Sequence, residues 1–89
     1  MIKKKMKIIN KLGLHARASS KLTQLACSFT SEIFLIKDKN KVNAKSIMEV
    51  LMLAASKNTI ILVMADGIDE KEAISDIENL FINYFGEGE

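Results

Sequence analysis

Gly13-Leu14-His15-Ala16-Arg17-Ala18-Ser19 is the stretch where an opening strand has ended, a turn carries the chain's only histidine, and a helix begins. If Ala16 opens that helix, His15 stands at its N-cap, beside backbone N–H groups that have no intrahelical acceptor and at the positive end of the helix dipole. Such a position attracts anions, phosphate above all. The same positive end favours the neutral, nucleophilic ring over the imidazolium. A phosphoryl group carried on that ring would lie near the unpaired N–H groups and near Arg17, whose planar fork of donors matches phosphate. Taken alone, a histidine before a helix is also an ordinary cap or surface residue, and His-x-Arg is a weak signal. Spacing leaves both readings open.

Upstream of the turn, residues 2–9 alternate as a strand, with Ile2, Met6 and Ile8 on one face and Lys3, Lys5 and Lys7 on the other. Asn10-Lys11-Leu12-Gly13 is its exit. Downstream, Ala18, Leu22, Leu25, Ala26 and Phe29 recur at helical spacing from Ala16 to Ser28 and form one inward stripe. Cys27 falls at the edge of that stripe, as a small packing residue. Glu32 to Lys37 reads as a strand, Asp38-Lys39-Asn40 as a hairpin turn, and Lys41 to Asn43 as the returning strand. Ser46 and Glu49 form a capping box, which predicts a helix running to Ala54 or Ala55.

That second helix is apolar nearly all round, through Ile47, Met48, Val50, Leu51, Met52 and Leu53. A sheet covers only one of its faces, so some of these side chains are expected at the surface, where apolar clusters mark protein-binding sites. Thr59 to Ala65 is rich in Ile, Leu and Val and reads as a central strand. After Asp66-Gly67, a last amphipathic helix is expected from Asp69 or Glu70 to Tyr84, burying Ala73, Ile74, Ile77, Leu80, Phe81 and Tyr84. Gly86 to Glu89 reads as a frayed tail.

Composition narrows the classes. Eighty-nine residues, 48% of them hydrophobic, make one domain (1–89) that buries roughly 60–65% of its unfolded surface. A net charge of +2 gives no ground for nucleic-acid binding, and the lysines at 3, 4, 5 and 7 read as the solvated side of the first strand. One cysteine excludes an internal disulfide and a cysteine-based metal cluster. No apolar run approaches a membrane span and no signal-peptide pattern precedes the first strand, so the expectation is a cytoplasmic protein with no membrane insertion.

Three motifs carry a resemblance. Gly13-Leu14-His15-Ala16-Arg17, so close to the N-terminus, resembles the active-site loop of the histidine-containing phosphocarrier family HPr of the bacterial phosphoenolpyruvate:sugar phosphotransferase system. Val42-Asn43-Ala44-Lys45-Ser46-Ile47-Met48 resembles that family's second signature, and Asp66-Gly67-x-Asp69-Glu70 the turn before its last helix. The β-α-β-β-α-β-α order fits the fold the resemblance implies: an α+β, open-faced β-sandwich, with a four-stranded antiparallel sheet in the order 1-4-2-3 and three helices on one face.

By the same resemblance, His15 accepts a phosphoryl group through its δ nitrogen from enzyme I and passes it to sugar-specific enzyme II components. Arg17 is implied as the residue that coordinates the phosphate, and no metal or organic cofactor is needed. Partner docking maps to Leu14, Ile47, Met48 and Leu51. Ser46 matches a regulatory serine, which implies a serine kinase/phosphorylase and a transcriptional regulator as further partners. Two departures stand out: Glu49 replaces a small residue and Ala18 replaces a proline. A regulatory paralogue in carbon or nitrogen control, or an interaction module without phosphorylation, is the competing reading. The implied strand order would also place Phe34, Ile36, Leu62 and Met64 together on the uncovered sheet face, where they would support weak self-association.

Overall fold

A computed structural model describes residues 1–87. Four strands, β1 (Ile2–Lys7), β2 (Glu32–Lys37), β3 (Asn40–Asn43) and β4 (Ile60–Asp66), form one sheet in the order β1-β4-β2-β3, with every neighbouring pair antiparallel. The helices are α1 (Ala16–Cys27), α2 (Ile47–Met52) and α3 (Glu70–Ile82), and a short 3-10 turn (Tyr84–Gly86) follows. The expected topology holds strand by strand. Alternation sets the register: Met6 and Ile8 face the helices and are buried, together with Ile33, Leu35, Ile61, Val63 and Ala65. The inward stripes of the helices, Ala18, Leu22 and Ala26 on α1 and Ala73, Ile74, Ile77 and Phe81 on α3, close over that layer.

The first signature is held rigidly. Gly13 has φ +66°, and a Cβ there would stand 2.5 Å from the Ala55 carbonyl oxygen. Its backbone therefore has to be glycine's, and the turn lies directly on the chain after α2. Leu14 N–H donates to Ala55 O at 2.9 Å, and buried Ser19 donates its hydroxyl to Leu14 O at 3.1 Å. In the turn before α3, Asp69 accepts from Thr30 N–H at 2.8 Å, from Ser31 N–H at 2.9 Å and from the Ser31 hydroxyl. The Ser31 hydroxyl and then Thr30 N–H hold its carboxyl below the usual aspartate range.

Several expectations need correction. Helix α2 stops at Met52, short of Ala54 or Ala55, because Ala54 takes φ +51° and reverses the chain. Its capping box is half made: Ser46 Oγ accepts from Glu49 N–H at 3.4 Å, but Glu49 accepts from Asn43 N–H at 3.1 Å rather than from Ser46. Cys27 is exposed, with only a 3.7 Å contact from Sγ to Lys45 O.

On the open face, Phe34 pairs with Met64 and Ile36 with Leu62, so the four apolar residues are contiguous as expected. They are not exposed: Phe34, Ile36 and Leu62 are half-buried and Met64 is buried. Lys3 and Lys5 flank Met64 and Leu62 on one side, while Lys41 on the other places its ammonium 4.4 Å from the Phe34 ring centroid. Long lysine stems cover apolar neighbours while their charges stay in water.

The largest correction is at the end of the chain. Tyr84 does not continue the buried stripe. Tyr84 and Phe85 both take left-handed backbone, φ +58° and +52°, which swings fully buried Phe85 against Phe81 at 4.9 Å between ring centroids and leaves Tyr84 at the surface. The chain then folds back, so Gly86 and Glu87 are not frayed. Gly88 and Glu89, the rest of the expected tail, lie outside the described residues.

Candidate functional site

His15 is the N-cap of α1, in extended backbone (φ −79°, ψ −177°), and its side chain faces back onto the helix: Arg17 N–H donates to Nδ1 at 3.3 Å. No acidic residue lies in the first turn of α1. The positive helix end is therefore not neutralised by its own helix, which is the condition an anion site needs. The ring borders an open cleft of about 690 Å³ lined by Lys11, Leu12, His15, Ala16, Arg17, Gly86 and Glu87. Arg17 is exposed on its wall and makes no ion pair among the described residues. Lys11 adds a second cation to the rim.

The other ring nitrogen, Nε2, meets the Glu87 carboxylate from 72 residues away. Burial raises the Glu87 carboxyl, but hydrogen bonds from Asn10 and His15, together with the nearby Arg17 charge, overcome it and hold the group below the usual glutamate range. Buried Asn10 is the hinge pin between tail and turn. Its amide nitrogen donates both to Gly13 O and to Glu87 Oε1, each at 2.8 Å.

Of the residues expected at the site, His15 and Arg17 share the cleft. Ser46 caps α2, on a different helix N-terminus. Among the expected docking residues, Ile47 and Met48 are exposed and Leu51 is half-buried, but Leu14 is only 4% exposed because its backbone is pinned to Ala55 and its side chain joins the core. Leu14 is therefore not surface available to a partner. Leu12, on the cleft rim, and Met52, one turn after Met48, are exposed apolar side chains.

Sequence reasoning missed Asn10, Ser19, Gly86 and Glu87. Asn10 had a signal in its Asn-x-x-Gly turn pattern. Glu87 had none, since its place depends on the left-handed pair Tyr84–Phe85, which those residue types do not favour. Among the described residues no helix is long and apolar enough to cross a membrane.

Residues 2–83 match the family described as the PTS HPr component phosphorylation site. The chain is 54% identical to the phosphocarrier protein HPr of Neisseria meningitidis serogroup A over 89 residues, covering all of both chains. It superposes on HPr from Thermoanaerobacter tengcongensis with a TM-score of 0.95 at 42% identity, covering 98% of each chain. A dimeric HPr structure from the same organism matches with a TM-score of 0.79 at 44% identity, over 92% of this chain and 94% of that one. A turn built on a glycine, a histidine capping an unneutralised helix and an open-faced 1-4-2-3 sheet thus coincide with full-length similarity, and the chain belongs to the HPr family of phosphocarrier proteins of the phosphotransferase system.

Proposed function

We propose that this chain accepts a phosphoryl group on Nδ1 of His15 from phosphorylated enzyme I and passes it to sugar-specific enzyme II components, acting as a carrier rather than as a catalyst. The observation that carries this reading is the position of His15 Nδ1, directed at the α1 N-terminus beside Arg17 in an open cleft. Transfer between phosphorus–nitrogen bonds needs positioning and charge stabilisation more than new covalent chemistry. Arg17 and the first-turn N–H groups supply the stabilisation. An open cleft also suits a carrier, which has to give up its cargo to a second partner.

Docking of both partners is assigned to the apolar surface beside the cleft, Leu12, Ile47, Met48, Leu51 and Met52. Ser46 is assigned a regulatory phosphorylation by a serine kinase, because a phosphate there would lie at the α2 N-terminus and place charge within this docking surface. Glu49, already in the first turn of α2, opposes that phosphate and weakens the switch. A transcriptional regulator that reads the Ser46 phosphate would dock on the same side.

The test is incubation with enzyme I, phosphoenolpyruvate and magnesium, followed by intact-mass measurement. One acid-labile phosphate is expected in the wild type and none in His15→Ala. Absence of the modification while a standard HPr is phosphorylated in the same tube would overturn the reading. Transfer of the phosphate to an enzyme II domain then tests the second half of the relay.

A further inference from the structure

Glu87 is held in the cleft by a built strap. Phe85 is fully buried, its carbonyl accepts from Lys21 Nζ at 2.9 Å, and a Cβ on Gly86 would stand 2.7 Å from the same lysine nitrogen. The Glu87 side chain is only 10% exposed, and its two oxygens have separate partners, Asn10 on Oε1 and His15 on Oε2. Asn10 in turn holds the Gly13 carbonyl, so the carboxylate and the histidine turn are fixed to each other through one buried amide.

The two ring nitrogens of His15 therefore face opposite chemistry. Nδ1 faces a donor, Arg17 N–H, so a proton on Nδ1 would oppose another proton. Nε2 faces an acceptor, and a proton there is held. From this geometry we infer that Glu87 is a positioning residue that fixes the Nε2–H tautomer of His15 and so presents the Nδ1 lone pair to the incoming phosphorus. The inference rests on the reading of His15 as the phosphoryl acceptor.

In the step itself a bond forms between Nδ1 and phosphorus while the bond from phosphorus to the donor's leaving atom breaks, and that electron pair stays with the donor. No proton is released. The Nε2 proton remains in place, the ring gains positive charge, and the adjacent carboxylate neutralises it. Glu87 sits on the side of the ring away from Nδ1, so it does not occupy the place of the phosphoryl oxygens. The 3.3 Å contact from Arg17 N–H is long enough to be given up to one of those oxygens.

The experiment compares wild type, Glu87→Ala and Glu87→Gln by long-range proton–nitrogen correlation of the imidazole at neutral pH, and by the rate of phosphorylation by enzyme I. In wild type the Nε2–H tautomer dominates. In Glu87→Ala the ring is expected to become a mixture of tautomers and the rate to fall about tenfold, as for loss of one hydrogen bond of ordinary strength. Glu87→Gln keeps a carbonyl acceptor and should restore the tautomer.

Unchanged ring nitrogens in Glu87→Ala, or a changed tautomer with an unchanged rate, would overturn the inference. The tautomer is read on the unphosphorylated protein. A wild type that shows Nε2–H but accepts no phosphate would therefore overturn the functional reading, and the positioning role with it, in a distinguishable way.

Discussion

Two helix N-termini in this molecule are capped in the same manner and yet are chemically different sites. At α1 the cap is His15, whose ring accepts from an N–H of the first turn. At α2 it is Ser46, whose hydroxyl does the same. The difference lies in the carboxylates. Helix α2 carries Glu49 in its own first turn, whereas α1 has no acidic residue there and receives Glu87 from the far end of the chain, on the ring nitrogen that does not cap. One terminus is thus neutralised from within its own helix, and the other is not. Capping geometry alone leaves the two termini alike. The placement of the nearest negative charge separates them.

The largest way to break this comparison is to remove the backbone that aims the first cap. Gly13→Ala should cost about 3 kcal/mol in stability through its left-handed φ and its contact with Ala55 O. Denaturant unfolding measures it, and a loss below about 1 kcal/mol would mean that the turn yields easily. Next, Arg17→Lys keeps the charge but loses the planar fork. Phosphorylation by enzyme I should slow on the order of tenfold while the thermal midpoint stays put.

At the other terminus Ser46→Ala should cost about 0.5–1 kcal/mol of helix capping, read as a lower thermal midpoint. It should leave His15 phosphorylation intact, and a phosphorylation defect would join two sites held here to be separate.

The smallest effect is a pH dependence confined to α1. The Glu87 carboxyl is depressed in the folded protein, so its stabilising contribution is fully present above the ordinary glutamate value of 4.5 and is lost as pH falls through the lower folded value. The stability gap between wild type and Glu87→Gln should therefore narrow as the solution is acidified through that window. A gap that stays constant would show that the tail contact does not depend on the carboxylate charge.

Much of this was legible in the sequence because it rests on local rules. Alternation at 2–8 set the face of β1, the stripe from Ala18 to Ala26 set the face of α1, and the glycine before a capped helix marked the turn that carries His15, whose role came from the family resemblance. What escaped depends on contacts between distant residues. Leu14 reads as surface in a motif and becomes core because the chain after α2 pins it. Tyr84 fits the helical period, yet a backbone reversal gives its place to Phe85. Glu87 looks like one more charge in a polar tail, and that reversal carries it to His15. The open sheet face was placed correctly by the strand order the resemblance implied but misjudged in exposure, since pattern alone does not tell how far lysine stems reach across it.

The central claim is that α1 presents Nδ1 of His15, with Nε2 held by Glu87, to the phosphoryl donor. The most direct measurement is nitrogen–phosphorus NMR on the isotopically labelled protein after phosphorylation by enzyme I. Coupling of phosphorus to Nδ1, with the proton retained on Nε2, is the predicted result. Phosphorus on Nε2, or on the Ser46 hydroxyl with an unmodified His15, would contradict it.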